Sequence, residues 1–92
     1  METVHLDIVV NGKVQGVRFR ETTKYVADQA GIKGFIRNEP DGSVYIEAEA
    51  ARWELDAFME WCGDGPDRAR VESCTFKAGE LKHFKDFVIV KR

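Results

Sequence analysis

The stretch Gly12-Lys13-Val14-Gln15-Gly16-Val17-Arg18-Phe19-Arg20 gathers glycines and arginines in a pattern suited to holding an oxyanion. Guanidinium forks match the geometry of phosphate and carboxylate oxygens. Gly12 and Gly16 let the backbone approach a ligand with no side chain in the way. The stretch follows an alternating apolar pattern over residues 4–11 and leads into a helical pattern from about Glu21. It therefore lies at a helix N-terminus, where backbone N–H groups lack intrahelical partners and the helix dipole is positive. The known phosphate loops do not describe it. Gly16 is followed by Val17 and Arg18 rather than the Lys-Ser/Thr of a Walker loop, and Gly12 to Gly16 does not fit the dinucleotide spacing. On spacing alone, a tight connection with two turn glycines and two solvated arginines describes the stretch equally well.

Positioning such a loop falls to the elements around it. Val4, Leu6, Ile8 and Val10 alternate with more polar residues, the period of a strand with one apolar face. Val9 makes the second face partly apolar, which predicts an interior strand. Phe19, Thr23, Val26, Ala27 and Ala30 recur at helical spacing, and Gly31 stands where a left-handed cap would end the helix. Residues 32–38 and 43–49 read as strands joined by the turn Pro40-Asp41-Gly42-Ser43, hence an antiparallel hairpin. Leu55, Phe58, Met59 and Cys62 mark an amphipathic helix over 51–62. Residues 70–77 form a strand whose phase shifts once, the signature of a bulge, and 87–90 a short last strand. The order predicts an α+β fold: a ferredoxin-like α/β sandwich, βαββαβ with a short extra C-terminal strand, two helices covering one face of an antiparallel sheet.

Composition sets the outer bounds. Ninety-two residues are expected to make a single domain over 1–92. A net charge of −2 argues against a nucleic-acid coat protein. No apolar run approaches the roughly 20 residues of a membrane span, and Glu2, His5 and Asp7 interrupt any signal-peptide pattern. Cys62 and Cys74, without a Cys-x-x-Cys pairing, read as reduced, buried cytoplasmic thiols. His5 and His83 stand apart in the sequence with no ligand spacing, so no metal site is expected.

The nine residues from Gly12 to Arg20 resemble the first signature of the acylphosphatase family, Gly-x-Val-Gln-Gly-Val-x-Phe-Arg. Gly34-Phe35-Ile36-Arg37-Asn38, followed by Asp41-Gly42-Ser43-Val44, is similar to the second. Gly65-Pro66-Asp67-Arg68-Ala69-Arg70-Val71 and Phe87-Val88-Ile89 resemble further family stretches in the same order. The resemblance implies hydrolysis of acyl phosphates to a carboxylate and inorganic phosphate, without metal or organic cofactor, by a monomer. It places the catalytic arginine on Arg20, the catalytic asparagine on Asn38, and phosphate binding on Gln15, Gly16, Val17, Arg18, Phe19 and Arg20. That chemistry suits the residues. The carboxylate leaving group has a conjugate acid of pKa about 4, so it departs unprotonated and no strong general acid is required. Charge stabilisation and water placement remain. Many members carry a glycine near the end of the third strand, where this chain has Ala48, which leaves the local backbone course open.

Other readings share the element order. RNA-recognition modules have it too, and Lys33-Gly34-Phe35 resembles the start of their RNP1 pattern. That pattern belongs on the third strand, however, and here it falls on the second. A similar domain opens larger hydrogenase-maturation carbamoyltransferases, and a catalytically silent phosphate sensor is a further reading. No partner beyond a small-molecule acyl phosphate and its phosphate product is expected: no nucleic acid and no membrane.

Overall fold

A computed structural model of the chain describes residues 2–91. The elements run β1 (Thr3–Lys13), α1 (Phe19–Ala30), β2 (Lys33–Asn38), β3 (Val44–Ala51), α2 (Arg52–Asp64), β4 (Arg70–Gly79) and β5 (Phe87–Ile89). They form a ferredoxin-like sandwich whose sheet order is β4-β1-β3-β2-β5. The alternation on β1 and β3 sends Leu6, Ile8, Val10, Val44, Ile46 and Ala48 to one face, where all are buried. Phe19, Thr23 and Ala27 of α1 and Leu55, Phe58 and Cys62 of α2 close over them. Loss of a ring such as Phe58, 2% exposed, would cost about 3–5 kcal/mol.

One feature of the sheet differs from the sequence expectation. β5 pairs parallel to β2, Gly34 opposite Phe87, so the sheet is mixed rather than wholly antiparallel. The connection from β4 to β5 joins distant strands. Those strands lie at opposite edges, so the intervening chain must cross the sheet, and it does so over the face without helices. There, Glu49 accepts hydrogen bonds from the backbone N–H groups of Lys82 (2.6 Å) and Phe84 (3.1 Å). Phe84 packs its ring against His5 and Phe35. The expected phase shift lies where β4 meets β1: Asn11 pairs with Ser73 and Gly12 with Val71, leaving Glu72 as the extra residue. Cys62 is buried and Cys74 half-buried, both free thiols.

The sheet order also sets the directions of the strands. β1 and β2 are each antiparallel to β3 and therefore parallel to one another. Their C-terminal ends, and with them the β1–α1 loop and Asn38, share one end of the sheet. The start of β4 reaches the same end, since Arg70 pairs with Lys13. Ala48 sits within a regular strand, paired to Leu6 and to Gly34, which resolves the backbone course there. The companion glycine is Gly34, at φ 149°, where a Cβ would fall 1.8 Å from the Glu47 carbonyl oxygen.

Candidate active site

The β1–α1 loop is held from below by its own apolar residues. Val14, Val17 and Phe19 are buried, while Gly16 and Arg18 between them are exposed. Phe19 is further held by the Trp61 ring, 5.8 Å between centroids. The motif's hydrophobic positions are thus anchors, and its glycine and arginine positions face outward. Gly16 (φ 74°) and Arg18 (φ 62°) take positive φ on either side of Val17, which does not. This alternation of hand turns successive N–H groups toward one concave side, the geometry of an anion nest. At Arg18 a non-glycine residue takes the left-handed conformation as the N-cap of α1, with no side-chain cap. Such a conformation costs on the order of 1–2 kcal/mol. The first-turn amides of α1 add their unpaired N–H groups and the positive end of the dipole.

A depression of 230 Å³ opens at this point, lined by Gly16, Arg18, Phe19, Arg20 and Asn38 together with Val14 and Glu21. It joins residues from β2 and from the loop that are far apart in the chain. Asn38 ends β2 in phase with Gly34 and Ile36, on the helical side of the sheet. Its Oδ1 is buried and meets no hydrogen-bond donor among the described residues. A buried carbonyl oxygen normally has a partner, so this acceptor is available to a ligand or a water. Neither Arg18 nor Arg20 forms an ion pair among the described residues, whereas the neighbouring Arg37 is held by Glu39 at 2.8 Å.

Not every sequence candidate lines the depression. The side chain of Gln15 is a strut: its Nε2 donates to the carbonyl oxygens of Glu39 (2.8 Å) and Ser43 (2.9 Å). Those carbonyls lie in the turn that follows Asn38, so Gln15 ties the anion loop to the strand end carrying the asparagine. Val17 faces away from this depression, into the core and a neighbouring hollow. The strut had no local signal in the sequence, because both acceptors are main-chain atoms more than twenty residues away.

A second polar group lies on the open sheet face, near the N-terminal end of β1. His5 is 2% exposed, and its Nδ1 contacts Glu49 at 2.7 Å and its Nε2 Asp7 at 2.8 Å. Glu47 lies 3.4 Å from Nε2 and is itself bound by Tyr45 and Lys82. His5 is therefore not isolated in space: its ligand atoms and those of Asp7 and Glu47 lie within 4.8 Å of one another. Both ring nitrogens, however, already face carboxylate oxygens, which is the arrangement of an imidazolium. Burial pushes the His5 pKa down, and the hydrogen bonds and charges of Glu49 and Asp7 more than reverse it, leaving it raised.

Comparison with known proteins places the chain as a whole. A family model described as Acylphosphatase matches residues 6–89. The chain belongs to the acylphosphatase family. An acylphosphatase of Archaeoglobus fulgidus is 41% identical over 86 residues, covering 94% of this chain and 97% of that protein. The crystal structure of the Bacillus subtilis acylphosphatase superposes with a TM-score of 0.92 at 32% identity, covering 95% and 98% of the respective chains. Full-length HypF in its phosphate- and nucleotide-bound form also contains a similar region. It aligns at a TM-score of 0.87 and 27% identity over 98% of this chain, which corresponds to 12% of HypF. Membership makes this an acylphosphatase-type hydrolase, and no helix among the described residues is long and apolar enough to cross a membrane.

Proposed function

We propose that Arg20, Asn38 and the backbone N–H groups of residues 15–19 carry out the hydrolysis of acyl phosphates in this acylphosphatase. The observation that carries the proposal is the convergence of Arg20 and the unpartnered Asn38 on one depression at the start of α1. Arg20 and the loop amides hold the phosphoryl oxygens as charge spreads over them. A water donates one hydrogen to Asn38 Oδ1, which aims its lone pair at phosphorus. The P–O bond to the acyl group breaks as the water oxygen bonds to phosphorus. The carboxylate leaves with the electron pair, and the second water proton passes to a phosphoryl oxygen of the substrate. An amide cannot take a proton at neutral pH, so Asn38 orients the water rather than acting as a base. No metal or organic cofactor enters the reaction.

The single domain over 1–92, whose terminal residues 1 and 92 lie outside those described, acts in this reading as a cytoplasmic monomer on a small-molecule substrate. The RNA-binding alternative is disfavoured by a specific observation. The helix-free sheet face, where such modules stack bases on aromatic residues, here carries Asp7, Glu47 and Glu49, and its Phe35 ring is packed against Phe84 of the crossing segment.

Hydrolysis of benzoyl phosphate in excess EDTA, with Asn38→Ala beside the wild type, tests the proposal. Rapid turnover by wild type and a kcat lowered about 100-fold or more in the variant are expected. Phosphate inhibition should stay near its wild-type strength, because water placement acts in the transition state rather than in ground-state binding. A wild-type kcat in Asn38→Ala would remove the water-orienting role.

A further inference from the structure

Gly16 lines the depression beside Arg20 and Asn38. This glycine also forms part of the wall of a larger hollow of 630 Å³, lined by Lys13, Val17, Asp67, Arg68 and Arg70. Three cations thus face one carboxylate in a chain whose net charge is −2. Lys24, Arg37, Arg52 and Lys82 are each held by a carboxylate. No such pair forms at Lys13, Arg68 or Arg70 among the described residues. Lys13 and Arg70 are moreover direct cross-strand partners on β1 and β4. Like charges at directly opposed positions destabilise a sheet. The strands are also pressed together just there, since a Cβ on Gly12 would lie 2.1 Å from the Arg70 carbonyl oxygen. An unfavourable charge arrangement held in place beside a reaction centre calls for an anion to compensate it.

The sheet order indicates which part of a substrate would supply that anion. The anion loop rises from the end of β1, with β4 on one side and β3 then β2 on the other. Asn38, on β2, lies to one side of the loop, and Arg68 and Arg70 lie to the other. In-line displacement sets the attacking water and the leaving group on opposite sides of phosphorus. With water held at Asn38, the acyl group departs toward β4 and the basic hollow.

We propose that this hollow receives the acyl part of the substrate, and that Lys13, Arg68 and Arg70 select acyl phosphates whose acyl group carries a second negative charge. The inference rests on the acylphosphatase reading of Arg20 and Asn38 and adds a substrate class to it.

The test compares benzoyl phosphate with 3- and 4-carboxybenzoyl phosphate. These rigid substrates differ by one remote carboxylate. Wild type is expected to show a kcat/KM for the better carboxylated substrate about five- to tenfold above that for benzoyl phosphate at low ionic strength, mostly through KM. Raising the salt concentration should erode the preference while leaving benzoyl phosphate turnover in place. Lys13→Gln and Arg68→Gln should each lower the ratio of kcat/KM for the carboxylated substrate to that for benzoyl phosphate, and Arg68→Lys should retain that ratio. Comparing the ratio between variants removes the intrinsic reactivity of each acyl phosphate. Benzoyl phosphate turnover with no salt-sensitive preference, or with a preference the glutamine variants keep, overturns this inference and leaves the catalytic assignment standing. Absence of turnover on every substrate overturns both.

Discussion

Arg20 and Asn38 ask different things of their side chains, and substitution separates them. Arg20 must span two phosphoryl oxygens, which a planar guanidinium does and a point-charge ammonium does not. Arg20→Lys keeps the charge and loses the fork, so kcat/KM for benzoyl phosphate should fall about 100-fold or more with little change in melting temperature. An unchanged kcat/KM would remove the clamp assignment. Asn38 carries a stability signature of its own. Its side-chain oxygen has no donor among the described residues to lose. Asn38→Ala should therefore change the urea-unfolding free energy by less than about 1 kcal/mol while turnover collapses. A variant less stable by more than about 1 kcal/mol would mean that the side chain makes a structural bond. Both residues were legible in the sequence only through the resemblance of their stretches to the two family signatures, since the spacing of the loop alone fits a plain connection equally well. Their convergence on one depression was not, because it depends on β1 and β2 running parallel on either side of β3.

At the scale of elements, the loop and the β2–β3 turn act as one unit through Gln15. Gln15→Leu keeps a similar volume and removes both hydrogen bonds to the Glu39 and Ser43 carbonyls. Stability should drop by about 1–3 kcal/mol, since partly buried acceptors lose their donor. The kcat should drop as well, because the spacing between the amide nest and Asn38 is no longer fixed. Equilibrium unfolding with single-turnover kinetics measures the two effects separately. A stability loss with intact kcat would confine Gln15 to folding. The elements themselves followed from periodicity, with modest differences at their ends. α1 begins at Phe19 rather than near Glu21, and α2 runs to Asp64, with the N–H of its N-cap residue Ala51 donating to the Glu54 carboxylate at 3.0 Å. The crossing segment 80–86 was the element the sequence did not disclose. It has no regular hydrogen bonding of its own, and its course follows from β4 and β5 occupying opposite edges.

The molecule as a whole has its chemistry at one end of the sheet and its principal ionic cluster at the other. His5 and Lys13 lie at opposite ends of β1, eight residues and so about 26 Å apart along the strand. The cluster around His5 should therefore govern stability and leave turnover of the folded enzyme alone. Residues 5, 47 and 49 alternate with core positions, so the sequence placed them on the polar face. Their burial arises only because segment 80–86 crosses over them. Glu49 is the anchor of that crossing. Burial pushes its pKa up, and the N–H groups of Lys82 and Phe84 with the His5 ring pull it further down, so it is lowered from 4.5. Its contribution to stability is therefore present above the unfolded value and is lost as pH falls through the lower folded value. His5 is raised from 6.5, so its contribution is complete below that pH and is lost as pH rises through the higher folded value. The two limits define a window, from about 4.5 to about 6.5, in which the crossing is held most firmly. On the alkaline side, deprotonated His5 has one N–H to share between Glu49 and Asp7, while Glu47 stays engaged by Tyr45 and Lys82. Unfolding free energy should accordingly decline from pH 6 toward pH 8.5, with amide exchange quickening first at Lys82 and Phe84. His5→Gln, which cannot titrate, should be less stable at pH 6 and should flatten that alkaline decline. Its kcat/KM at temperatures well below melting should equal that of the wild type. A decline of the same steepness in His5→Gln would assign the pH dependence to other groups, and a loss of kcat/KM would show that the two ends of the sheet are coupled.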